Sequence, residues 1–220
     1  MDEKVKANAE ELKEETKDAF NQVKSQIKDT DFKAETKEAT NFFKEMFMSP
    51  INAMKSIASG ENAKLGRTII IMVFLIVLSV ASTLVSLFKY SSITSIGSNL
   101  WDLLVSVLSP IFVVLVPTLI LFLLNKNAKK PLLVILSTMV AAMVPVVLKD
   151  ALNVVDSIIP QLYNITRFFT GVLSSVHIVL SYFAVKFICE EDEEKSIKLF
   201  VVVEFLTTVV LVVLSMIGIY

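Results

Sequence analysis

Three side chains in this sequence could do chemistry inside an apolar setting: His177, Lys186 and Glu204. His177 is the only histidine of the chain, and Thr170, Ser174, His177 and Ser181 follow one another at i, i+4, i+7 and i+11. That spacing lays them along one face of a helix. An imidazole there can relay a proton or touch a substrate, or it can hydrogen-bond a Ser or a backbone carbonyl as part of a packing seam. Lys186 and Glu204 carry opposite charges near the ends of the last two apolar segments. An antiparallel pair of neighbouring helices would bring them to a similar depth, which predicts an interhelical ion pair. Alternatively, Lys186 reaches the headgroups and leaves Glu204 for a proton or a cation.

Little else is chemical. Cys189 is the sole cysteine, so neither a disulfide framework nor a Cys/His zinc site can be built, and no metal is expected. The chain has no HExxH, P-loop, glycine-rich dinucleotide loop or Gly-x-Ser-x-Gly elbow, and only five glycines. Neither a cofactor nor an enzymatic activity is expected. A net charge of −1 argues against nucleic acid as a partner.

The elements that must position these residues follow from where charge is found. Residues 1–67 hold 12 of the 21 Lys/Arg and 13 of the 22 Asp/Glu, and the other 153 residues hold nine of each sign. A charged head is joined to an almost uncharged body, the pattern of an integral membrane protein whose first partner is the lipid bilayer. A hydrocarbon core of ~30 Å needs about 20 helical residues. Five segments qualify: residues 68–88, 102–124, 131–148, 168–189 and 199–220. The fold class is therefore all-α, a polytopic transmembrane bundle of five spans with a charged N-terminal cytoplasmic helix. With the N-terminus inside, the inner flanks receive Lys64, Arg67, Lys126, Lys129, Lys130, Lys186, Lys195 and Lys198, and the outer flanks only Lys89, Lys149 and Arg167. The positive-inside rule then sets N-in/C-out. No cleavable signal peptide is expected, because the first 30 residues lack an apolar core.

Ahead of the spans, residues 1–47 read as a charged helical extension. Its sparse apolar stripe is Val5, Leu12, Phe20, Val23, Ile27 and Phe32, with a break at Asp29-Thr30-Asp31. Residues 48–67 follow as a short amphipathic helix and a linker. Ser49-Pro50 starts the helix, Gly60 ends it, and its apolar side suits the membrane surface. Within residues 149–167 a second amphipathic helix is predicted on the outer surface. Pro110 and Pro117 in the second span and Pro145 in the third each remove a backbone hydrogen bond and mark places for a bend.

A charged N-terminus, then Met48-Ser49-Pro50-Ile51-Asn52-Ala53-Met54-Lys55-Ser56-Ile57, then five closely spaced spans resembles the Yip (Ypt-interacting protein) family, specifically its bacterial branch. The resemblance covers residues 45–220 by architecture and the Pro50 segment by sequence. Eukaryotic members act in vesicle traffic and contact small GTPases. Their Asp-Leu-Tyr-Gly-Pro motif is missing here, as is the cysteine pair of a zinc ribbon, so neither property is carried over. What the resemblance implies is a non-enzymatic organiser or adaptor in the bacterial cell membrane. It would recruit a cytoplasmic or membrane protein through residues 4–59. The rival expectation is a permease for a small solute or ion, working as a homo-oligomer through His177 and Glu204.

Overall fold

A computed structural model describes residues 32–90, 96–124 and 130–218. The expected stripe from Val5 to Ile27 and the break at residues 29–31 lie outside the described residues. The secondary structure among those described is entirely helical: α1 Phe32–Met48, α2 Pro50–Ala58, α3 Leu65–Tyr90, α4 Ile96–Leu124, α5 Leu132–Ala142, α6 Val144–Ile158, a 3-10 turn Pro160–Leu162, α7 Tyr163–Cys189 and α8 Glu193–Met216. Four stretches, Leu65–Phe88, Leu100–Leu124, Pro160–Cys189 and Glu193–Met216, are long and apolar enough to cross a bilayer, and the bent pair α5–α6 makes a fifth if it counts as one span. Large apolar side chains stay exposed along all four, among them Val77, Leu119, Val176 and Val212. Such a surface is intolerable in water and natural in lipid, and it fits a multi-pass membrane protein.

The short helix α5 is the centre of the bundle. It packs against α2, α3, α4 and α7, and from Ser137 to Ala142 every residue is at most 3% exposed. Thr138, Ala141 and Ala142 are small, so neighbouring helices can come close without a bulky side chain between them.

The third apolar segment departs from expectation. It does not run as one helix over residues 131–148 with a separate surface helix beyond. It breaks at Met143 with a bend of 40°, and the second piece continues unbroken to Ile158. Pro145 explains the position: it has no N–H to donate to Ala141, and its ring clashes with a continuing helix four residues back. The helix α6 packs between α3 and α7. Its Asp150 and Asp156 are half-buried while Val155 and Ile158 point outward, so its apolar side is turned away from the protein. The other prolines behave differently. Helix α4 runs without interruption through Pro110 and Pro117.

Helix α2 starts and stops where Ser49-Pro50 and Gly60 predict. Pro50 opens the helix, and Gly60, at φ +90, donates its N–H to the carbonyl of Ile57 at 2.9 Å. The Ser49 hydroxyl accepts from Asn52 Nδ2 at 2.8 Å instead of capping a backbone N–H. Ala53, Met54, Ile57 and Ala58 are buried against α5 and α7, so the apolar side of α2 is committed to the bundle. Between α7 and α8, Glu190 takes a left-handed conformation at φ 52 and Asp192 caps α8 by accepting the N–H of Lys195 at 2.9 Å. That hydrogen bond holds the Asp192 carboxyl below the ordinary carboxylate range.

The packing of α2 makes a stability prediction. Met54→Ala, at a residue with 0% exposure, should destabilise the bundle by about 2–5 kcal/mol. Ile51→Ala, on the exposed side of the same helix, should change it by less than about 0.5 kcal/mol. Denaturant titration of the detergent-solubilised protein separates the two, and equal effects would mean that α2 is not docked.

Candidate intramembrane polar site

The 27-residue helix α7 turns its stripe of small polar residues inward. Ser181 is buried, and Thr170, Ser174 and His177 are half-buried on the side facing the bundle. His177 meets the break between α5 and α6: its Nδ1 lies 2.9 Å from the carbonyl oxygen of Ala142. Because the partner can only accept, Nδ1 carries the proton. The carbonyl is available for a physical reason. Pro145 has no N–H, and the N–H of Val146 donates to Met143 at 2.9 Å instead. An unserved carbonyl in hydrocarbon is costly, and the imidazole supplies what the broken helix withholds.

Lys186 and Glu204 do not pair. Lys186 Nζ lies 4.0 Å from Glu193 Oε1 and 5.9 Å from the ring centre of Tyr182. The expected depth match fails because α8 begins at Glu193, not near Leu199. The charged turn before Leu199 is part of the helix, so Lys186 faces the start of α8. Glu204 lies eleven residues further on, about 16 Å along the axis. Its side chain is also on the wrong side: α8 buries Val203 and Thr207, whereas Glu204 is exposed. No described residue offers Glu204 a cation. The three candidate residues therefore occupy three places: His177 inside the bundle, Lys186 at its charged end and Glu204 on its outer surface.

No protein-family model, curated protein or solved structure matches this chain. The function must be read from the geometry alone.

That geometry consists of hydrogen-bonded clasps. The Thr68 and Ser137 hydroxyls lie 2.8 Å apart in a buried bond that ties α3 to α5. Thr118 and Thr138 return their hydroxyls to the carbonyls four residues back, each at 2.7 Å. Among the described residues no three His, Cys, Asp or Glu side chains converge as a metal ion would require.

Sequence reasoning missed three features at the charged end. Arg67, read as a flanking charge, is only 7% exposed. Its guanidinium lies 4.2 Å from the centre of the Phe42 ring and donates to the Asn62 carbonyl. Lys64 pairs with Glu38 at 2.5 Å, fastening α1 to α3. Lys130, just before α5, pairs with Glu190 at 2.5 Å, beyond the end of α7. The phenylalanines at residues 42 and 43, apolar within a charged stretch, were the available signal.

His177→Ala removes the donor to Ala142 and should cost about 1–3 kcal/mol of stability. Pro145→Ala would let that region form more of its own helical bonds, so in the double variant the loss at His177 should shrink. A double-mutant cycle by denaturant titration measures the coupling, and strict additivity would show that His177 does not serve the break.

Proposed function

We propose that this protein is a non-enzymatic membrane organiser, Yip-like in architecture, with its N-terminus cytoplasmic. It would hold a charged helix against a membrane bundle for a cytoplasmic or membrane protein to bind. The observation that carries this reading is the clamp on α1. Ala39, Phe42 and Met46 are buried, Phe42 lies against Arg67, Glu38 pairs with Lys64, and Phe43 meets Phe74 edge to face with ring centres 6.2 Å apart. A helix held at four points is a fixture of the bundle. The opposite side of α1 leaves Lys37, Lys44 and Glu45 exposed, a charged surface that no other part of the chain covers.

The orientation draws support from the clustering of cations. Lys64, Arg67, Lys130, Lys186, Lys195 and Lys198 are gathered at one end through contacts between α1 and α3, between residues 130 and 190, and along the turn from α7 to α8. By the positive-inside rule that end is cytoplasmic. A carrier would need His177 and Glu204 on a shared path, and they face opposite sides of the bundle.

The test is crosslinking in native membranes from photoreactive groups at positions 37 and 44 of the full chain. A distinct protein should be captured at near-stoichiometric yield. Capture should be lost either on deleting residues 2–31 or in Lys37→Glu/Lys44→Glu, both of which spare the buried side of α1. Undiminished capture in both variants, or capture of nothing but this chain, overturns the reading.

A further inference from the structure

The outermost helix carries a polar seam that the rest of the chain leaves unused. Along α8, Ile197, Val201, Glu204, Thr208, Leu211 and Ser215 alternate in steps of four and three. That is the period at which one helix keeps the same stripe facing a parallel neighbour. Five of the six are exposed and Leu211 is half-buried, while the residues α8 gives to its own bundle, Val203 and Thr207, lie to one side of the stripe. Glu204 lies beyond the last charged residue of the helix, Lys198, with only apolar neighbours outward of it. Lys186, the nearest candidate cation in the sequence, is engaged at Glu193.

A carboxyl facing hydrocarbon without a hydrogen-bonding partner is an arrangement that membrane helices avoid. The neighbouring hydroxyl indicates what answers it. Thr208 donates its proton to the Glu204 backbone carbonyl at 2.8 Å, so its oxygen is left with lone pairs and no proton to give. The stripe therefore presents an acceptor one turn from a carboxyl which, when protonated, is a donor.

We propose that α8 of one copy packs along this seam against α8 of a second copy, in parallel and about a two-fold axis. Two copies of one chain share an orientation in the membrane and bring identical residues to the same depth. Across a two-fold axis the surface must complement itself. Glu204 of each copy faces Glu204 of the other and donates to its carboxyl or to the Thr208 oxygen one layer away. A foreign helix bearing Lys or Arg would answer the carboxylate alone and leave the Thr208 oxygen unmet. This inference stands apart from the role of α1, since the two surfaces lie on different helices.

The test uses the full-length chain with Cys189→Ser, in liposomes at low protein-to-lipid ratio, oxidised after single cysteines are placed on and off the seam. Val201→Cys and Ser215→Cys should crosslink to dimers, and Val202→Cys and Val209→Cys, on the adjacent face, should not. In the Val201→Cys chain, adding Glu204→Leu should lower dimer yield by about tenfold. Glu204→Gln keeps a donor and an acceptor and should hold the yield within about twofold. Position 204 faces outward, so neither change is expected to disturb folding, and an unaltered proteolysis pattern verifies that. Equal crosslinking on both faces, absence of dimers, or a yield indifferent to Glu204→Leu overturns the proposal. Disulfides formed in native membranes only to a different protein would overturn it too.

Discussion

The structure depends on a break in a helix where no break is cheap. In hydrocarbon every backbone N–H and C=O must find a partner within the protein, yet Pro145 divides the third apolar segment and strips donors from the carbonyls before it. The fold accommodates this by placing the break at the centre. Helix α5 is enclosed by α2, α3, α4 and α7, so its freed carbonyl faces protein, and His177 occupies the one position from which a side chain can serve Ala142. The same break turns α6, whose aspartates then face the protein and whose Val155 and Ile158 face outward. A single proline thus sets the direction of α6, the burial of α5 and the role of the sole histidine.

At the charged end a different constraint operates. Arg67 lies only two residues into α3 and is nearly inaccessible. A guanidinium there needs its charge met and its planar face covered, and the Asn62 carbonyl and the Phe42 ring do both. Helix α1 is therefore required by α3 as much as it is supported by it. The Lys130–Glu190 pair closes the same end between α5 and α7. Partly exposed ion pairs contribute little stability. What they supply is register, by setting which helix ends stand together.

How much of this was legible depends on what each signal measures. The apolar runs and the stripe Thr170–Ser181 were readable because side-chain periodicity is a property of sequence, and α7 does turn that stripe inward. Ser49-Pro50 and Gly60 were readable because their backbone geometry is intrinsic to the residues. The break at Met143 was not, since residues 131–148 are apolar throughout and hydropathy does not register a lost backbone hydrogen bond. Lys186 was misassigned for the opposite reason. Trimming the charged turn of residues 193–198 from the last span moved its apparent start by six residues, and a shift of ~9 Å along a helix axis changes every partner. Arg67 was taken for a flank because a cation at the edge of a span usually is one.

Polar residues in the spans divide by whether their own helix can satisfy them. Thr118, Thr138, Ser175 and Thr208 each return a hydrogen to a carbonyl four residues back, and such groups demand nothing of a neighbour. Only Thr68 with Ser137 and His177 with Ala142 bind one transmembrane segment to another through buried or half-buried polar atoms, and both reach the broken α5. A Glu has no such local recourse, because the helical backbone near it has no free N–H to offer. The stripe on α7 and the stripe on α8 therefore look alike as sequence and differ in physics. The first faces a break that needs a donor. The second faces outward, where whatever serves Glu204 must come from beyond this chain.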